Sequence, residues 1–249
     1  MFATGAGRGP RGKRMRNMKK IMGVAILAGA SIAGVGAANA ETSASISMTT
    51  DYVFRGLSQT DGGAAIQGSF DWSNDMVYAG VWGSNVNFGA TSPTETASME
   101  LDAYVGITPT TGPVSWDLSL VGYFYPNGDD ALAGGELDYF EGLVGASMDL
   151  SEQFAVGAQL GYSPEYFGEV GEALYYEVNG AFKFNDAFSV SAAVGTQTFD
   201  DNALAGDDWD TWNLGVSHAM HGFNFDLRYH DTDISGADSI VNFPISREL

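Results

Sequence analysis

From about Ser43 to Leu249, apolar residues alternate with small or polar ones in twelve stretches, each close to the length of a single strand. A period of two puts all apolar side chains on one face of an extended chain. The stretches are 43–54, 64–73, 76–86, 97–108, 114–125, 136–148, 154–163, 173–184, 188–198, 211–219, 223–231 and 239–249. In one of them Phe154, Val156, Ala158, Leu160 and Tyr162 share a face, and Ala155, Gly157, Gln159, Gly161 and Ser163 take the other. In another, Phe223, Phe225, Leu227 and Tyr229 oppose Asn224, Asp226, Arg228 and His230.

Alternation suits a soluble sandwich, whose apolar face is the core, and a membrane barrel, whose apolar face meets lipid. The second face decides between them. It carries Gly, Ala, Ser, Asn, Tyr and acids rather than the Lys, Glu, Thr and Arg of a solvated sheet, which suits a confined interior. Aromatic residues gather at strand ends, as at Tyr52/Phe54, Phe70/Trp72, Phe154, Tyr162, Phe182/Phe184, Phe188 and Trp212. That is the pattern of interfacial girdles.

Connection lengths give an independent test. Short connections (73–75, 109–113, 149–153, 185–187 and 220–222) alternate with long ones (55–63, 87–96, 126–135, 164–172, 199–210 and 232–238). Outer-membrane barrels alternate short periplasmic turns with longer outer loops and use an even strand number. The expected fold is all-β: a twelve-stranded antiparallel up-and-down transmembrane β-barrel with both termini in the periplasm. Arg247, on the apolar register near the end, belongs at the interface, where a charge costs little.

The leader agrees. Met15–Lys20 forms a basic n-region, Ile21 to about Ala33 an apolar h-region, and Ala38-Asn39-Ala40 a small-residue cleavage site. Residues 1–40 therefore read as a signal peptide with an extended n-region, in which Met1, Met15 and Met18 are all candidate starts. Residues 41–249 read as the barrel. The expected location is the outer membrane, reached by export and insertion through barrel-assembly machinery, with lipid and lipopolysaccharide as neighbours.

The leader holds seven basic and no acidic residues. Of 11 Lys and Arg and 31 Asp and Glu, the rest of the chain keeps 4 basic and 31 acidic, a net charge of −27. Such a field repels nucleic acid and attracts cations. With no cysteine, the barrel must be held by its own pairing and packing.

The inward register collects Asp71, Glu100, Asp102, Asp117, Glu136, Asp138, Glu177 and Asp226, against Lys183 and Arg228. These are the candidate pore lining of a cation-preferring channel for small solutes or ions. The same residues also suit a plugged interior of hydrogen-bonded acids and tyrosines. Twelve strands ~4.8 Å apart and tilted ~40° enclose a backbone radius of about 12 Å, which leaves at most a narrow channel. Arg55 is the candidate anchor of the first long loop, toward Asp51 or Asp61. Clustered loop carboxylates, from Asp129-Asp130 to Asp238, suit Ca²⁺ or Mg²⁺ but equally a solvated rim, and no EF-hand spacing is present. No other cofactor is implied. The three histidines and the serines form no hydrolase motif, and no HExxH, P-loop or CxxC occurs, so catalysis is not expected.

Asp51-Tyr52-Val53-Phe54-Arg55-Gly56, Ser58-Gln59-Thr60, Gln67-Gly68, Tyr78-Ala79-Gly80-Val81-Trp82 and Ser84-Asn85-Val86 together resemble the TorF family of proteobacterial porins. The resemblance is specific over 49–88 and loosely patterned beyond. It implies an outer-membrane location and a channel role, and it carries no solute with it. The alternative function is a closed structural barrel whose acidic loops bind divalent cations or a surface partner.

The location has a direct check. The mature chain should leave the cell envelope only in detergent and should migrate faster on a gel unboiled than boiled. Recovery as a soluble protein would refute the barrel.

Overall fold

The computed structural model describes residues 40–88, 97–126, 128–133, 135–201 and 206–249. Almost all of the leader, and most of the second long connection, lie outside the described residues. The strands in chain order are β1 (Glu41–Thr49), β2 (Val53–Phe54), β3 (Leu57–Ser58), β4 (Ala65–Asn74), β5 (Val77–Phe88), β6 (Ala97–Ile107), β7 (Thr110–Thr111) and β8 (Val114–Phe124). They continue as β9 (Tyr139–Asp149), β10 (Phe154–Ser163), β11 (Ala173–Lys183), β12 (Phe188–Phe199), β13 (Trp209–Met220), β14 (Phe223–Thr232), β15 (Ile240–Asn242) and β16 (Ile245–Glu248).

Eleven long strands and the interrupted pair β15/β16 make twelve antiparallel staves. Each pairs with its neighbours in sequence. β1 closes against β16, with Ser45 opposite Glu248 and Met48 opposite Ile245. The last stave keeps one register along β14, Arg228 opposite Asn242 and Asn224 opposite Ser246. The gap falls at Phe243-Pro244, where proline has no N–H to donate; Pro244 O instead accepts from Asp226 N at 3.0 Å.

The outward face is apolar along the staves, with Ile66, Phe70, Val81, Leu101, Val105, Leu120, Val144, Val178, Leu214 and Leu227 all exposed. Trp72, Trp116, Phe154, Phe182, Phe188 and Phe223 ring the end with the short turns. Phe140, Tyr162, Tyr176, Trp212 and Tyr229 ring the other. Arg247 sits at the short-turn rim with its guanidinium over Phe223, 5.0 Å from the ring centre.

The turns explain themselves chemically. His221-Gly222, both at positive φ, joins Met220 to its partner Phe223, and Gly112-Pro113 joins Thr111 to Val114. Two-residue turns with positive φ match the twist of paired strands. The described parts of the long connections lie at the opposite end.

Inside, glycines give room to rings on the neighbouring stave. A Cβ on Gly106 would sit 2.5 Å from the Tyr78 ring, and one on Gly80 would sit 2.6 Å from that of Tyr104. A second core lies at the long-loop mouth, where Tyr123 stacks on Tyr139 at 4.4 Å between ring centres. Tyr166, Phe167, Tyr125 and buried Leu137 pack around them.

The orientation of the outward face carries a test. Leu120→Arg, mid-stave and exposed, should cost about 2–4 kcal/mol of folding free energy in lipid vesicles, read by denaturant titration. An unchanged midpoint would place this face away from hydrocarbon.

Candidate functional site: a hairpin across the lumen

The first stave ends at Thr49, five residues before the end of the stretch expected from alternation. The chain then turns inward. β2 and β3 form a small hairpin of their own, Val53 opposite Ser58 and Phe54 opposite Leu57. Its tip is Arg55-Gly56, with φ of 47° and 85°. This is a tight turn of the type that needs positive φ at both central residues, and arginine rarely accepts it. Tyr52 and Phe54, expected in a girdle, are therefore inside the barrel.

The tip packs against the wall formed by β13 and β14. A Cβ on Gly56 would lie 2.4 Å from Thr232 Cγ2 and 2.5 Å from Thr211 Oγ1. Trp209 Nε1 donates to Arg55 O at 3.1 Å. Glycine at 56 is required by backbone sign and by space together.

Arg55 locks the hairpin. Its Nη2 lies 2.6 Å from Glu141 Oε2 on β9, and its Nη1 donates to Gln197 Oε1 on β12 at 2.8 Å. Its guanidinium also lies 4.2 Å from the Tyr175 ring centre on β11. Glu141 is 1 % exposed and Gln197 fully buried. Burial, the largest single influence, works against the guanidinium's charge, but the Glu141 carboxylate together with Tyr166, Tyr123 and Tyr139 outweighs it and raises the Arg55 pKa. The expected partners Asp51 and Asp61 do not meet Arg55. Asp51 Oδ1 instead accepts from Ser58 Oγ at 2.6 Å and Thr60 Oγ1 at 2.9 Å, bracing the hairpin's base. Thr60 Oγ1 in turn accepts from Tyr52 N at 3.1 Å, and Asn242 Nδ2 donates to Asp51 O at 3.2 Å. The carboxylate thus holds the chain where it leaves the wall.

Below the hairpin, each tyrosine tends to cap a carboxylate. Tyr78 donates to Asp117 at 2.7 Å, Tyr175 to Glu177 at 2.7 Å, and Tyr104 to Asp71. Tyr52 donates to Glu100 Oε1 at 3.3 Å. Burial, reinforced by Glu100 and Asp102, pushes the Tyr52 hydroxyl well above the ordinary tyrosine range, which keeps that donor protonated. Arg228 bonds Asp226 at 3.0 Å, Asn213 at 2.6 Å and Ser191 at 2.7 Å.

Of the expected lining, Asp71, Glu100, Asp102, Asp117, Glu177, Asp226 and Arg228 face inward on the staves. Lys183 shares the inward register but lies at the short-turn end, six residues from Glu177. Glu136 and Asp138 do not line the lumen. They are exposed and precede β9, and Asp138 Oδ1 accepts from Tyr125 N at 2.8 Å. On β9 it is Tyr139, Glu141 and Leu143 that point inward and are buried. Glu141, the partner of Arg55, was therefore missed through a register taken one residue off.

Under the hairpin lies a cavity of about 120 Å³. Asp102, Ser119, Tyr104 and His230 line it together with Phe54 and Arg55 of the hairpin. Among the described residues no group of three or more His, Cys, Asp or Glu side chains is placed to hold a metal ion.

The Arg55–Glu141 pair gives a double-mutant test. Arg55→Met or Glu141→Gln alone should destabilise the protein by about 3–5 kcal/mol, because each strands a buried partner. The double variant should be no worse than the worse single, measured by thermal unfolding in detergent. Additive losses would mean the two do not act as a pair.

The NanC porin has a solved structure similar to this chain at 9 % identity, with a TM-score of 0.50 over 83 % of this chain and 97 % of that one. A mutant of TodX, a monoaromatic hydrocarbon channel, is similar at 10 % identity, with a TM-score of 0.50 over 86 % and 91 %. At such identity the likeness is one of fold. No curated protein sequence matches. A family model does match, over residues 33–242, and that span takes in the locking arginine, its glycine and the buried Glu141: the chain belongs to the family described as bacterial protein of unknown function, Gcw_chp.

Proposed function

We propose that this barrel is an outer-membrane passive channel, narrow and cation-leaning, for small solutes or ions. The observation that carries the reading is the imbalance of fixed charge inside. Asp71, Glu100, Asp102, Asp117 and Glu177 face the lumen, while Arg55 and Arg228 are each committed to a carboxylate of their own. Carboxylates within low-dielectric walls concentrate cations. The hairpin serves as the constriction. The porin fold of the similar structures and the resemblance of residues 49–88 to the TorF porins support a channel rather than a catalyst. Long loops outward and termini in the periplasm follow the general rule for such barrels. Lipid, lipopolysaccharide and the barrel-assembly machinery are the partners this setting implies.

The hairpin itself favours a second reading, a closed structural barrel. It enters the lumen, its tip packs against β13 and β14, and the Arg55 side chain reaches across to β9. On that reading the acidic loops hold divalent cations or a surface partner.

Reversal potentials under a salt gradient separate the two. Cation preference should shrink as salt rises, because the Debye length falls from ~30 Å at 0.01 M to ~3 Å at 1 M. Neutralising Glu100 and Asp102 together should weaken it more than neutralising Asp129 and Asp130. Anion preference would overturn the role given to these acids, and absence of conductance would favour the closed barrel.

A further inference from the structure

We infer that the cavity beneath the hairpin is a binding site for a small organic ammonium ion, a primary amine in its charged form. This deepens the cation-leaning reading and rests on the lumen being reachable from solution. Four observations converge on the site.

First, Asp102 breaks the pattern of its neighbours. The other inward carboxylates of the staves each have a tyrosine, serine or arginine partner, whereas Asp102 Oδ1 is buried with none. Second, Glu100 stands two residues away on the same face of β6, is 2 % exposed, and has Oε2 unpartnered although Oε1 accepts from Tyr52. Third, His230 reaches the same cavity from β14. It is 9 % exposed, and its Nε2 has no partner. Ser119 Oγ, from β8, is likewise unpartnered there. Fourth, the guanidinium that lines the cavity, that of Arg55, is spent on Glu141 and Gln197.

Buried polar atoms without partners are uncommon, and a buried carboxylate calls for a counter-charge. Here Asp102, Ser119 and His230 line one cavity, with Glu100 beside Asp102 on β6, and the unpartnered atoms are mostly acceptors. They suit a ligand that donates several N–H bonds and carries positive charge. An ammonium head has three donors and one charge.

The remaining walls choose between an organic and a metal cation. Trp82, Tyr104 and Tyr123 also line the cavity. Ring faces attract ammonium groups and pack against their alkyl carbons. Ca²⁺ instead takes six to eight oxygen ligands, and Mg²⁺ a full octahedron. The free Asp102 carboxyl and a serine, even with Glu100 beside them, fall short of either shell. The cavity, at about 120 Å³, also exceeds what a bare ion fills.

The test is calorimetric titration of the detergent-solubilised full barrel with n-propylammonium, and in parallel with propionate, n-propanol and Ca²⁺. Propylammonium should bind, and the other three should give at least tenfold weaker binding or none. Asp102→Asn and Glu100→Gln should each weaken propylammonium binding by about tenfold, while Asp102→Glu, which keeps the charge, should restore most of it. Asp186→Asn, in a short turn, is the charge control and should change nothing. Heat-modifiable gel migration confirms that each variant is folded. Equal binding of propanol and propylammonium would overturn the ammonium assignment, as would affinity unchanged by both Asp102→Asn and Glu100→Gln. Tighter binding of Ca²⁺ would make the site a metal site. Absence of propylammonium heat in a protein that conducts with cation preference would sink this site and leave the channel. Binding in a protein that does not conduct would do the reverse.

Discussion

A backbone in hydrocarbon has no water to pair with, so every N–H and C=O must find a partner inside the protein. Closure of β1 on β16 meets that demand for this chain, and most of the architecture follows from it. Once the sheet is closed, the outward face can hold only what lipid tolerates, and the staves are apolar there. Everything polar must go inward, toward a space that twelve staves make too wide for side chains alone to fill and narrower than the channels of larger barrels. The same closure explains how the last stave tolerates Pro244: the ladder loses one donor but keeps its register on both sides.

The inward hairpin is the chain's answer to that awkward width. It needs a tip with positive φ, close packing against β13 and β14 and compensation for a buried charge. Gly56 meets the first two needs, because any side chain there would strike Thr211 or Thr232. Arg55 and Glu141 meet the third. Taking both ions out of water is costly, and only good geometry with further hydrogen bonds offsets that cost. Gln197, Tyr175 and Phe54 surround the guanidinium for this reason. The residues that resemble the TorF porins over 51–60 are the hairpin, its base and its lock. The resemblance therefore lies in the constriction and in the staves that carry it, and not in the lipid-facing surface alone.

The staves were legible because lipid on one side and a confined lumen on the other impose a clean period of two. All twelve were visible that way, as was the alternation of turn and loop. Legibility failed where that contrast fails. At the long-loop end the inward face of β9 meets the hairpin and the aromatic cluster rather than water. Tyr139 and Leu143 inside then look like Phe140 and Val144 outside, and the register of Glu141 could not be read. The hairpin was hidden in a similar way. Asp51 to Phe54 continue the alternation of the stave before them, and the reversal rests on an Arg-Gly pair, a weaker turn signal than Asn-Gly. Long-range pairings such as Arg55 with Glu141 leave no local trace at all.

The lumen's electrostatics follow from how its carboxylates are partnered rather than from how many there are. A carboxyl group capped by a tyrosine hydroxyl gives up one acceptor site to a neutral donor. A carboxylate paired with arginine is neutralised as far as a passing ion can sense. By that measure Glu141 and Asp226 contribute structure, and Asp71, Asp117 and Glu177 each have an acceptor taken. Only around Glu100 and Asp102 do buried carboxyl groups keep acceptor atoms without a partner. They stand directly behind Tyr52, at the root of the hairpin, so a cation drawn to them would sit against the element that narrows the lumen. β6, which carries both carboxyl groups, packs on β5 through the Gly80–Tyr104 and Tyr78–Gly106 complementarity between them.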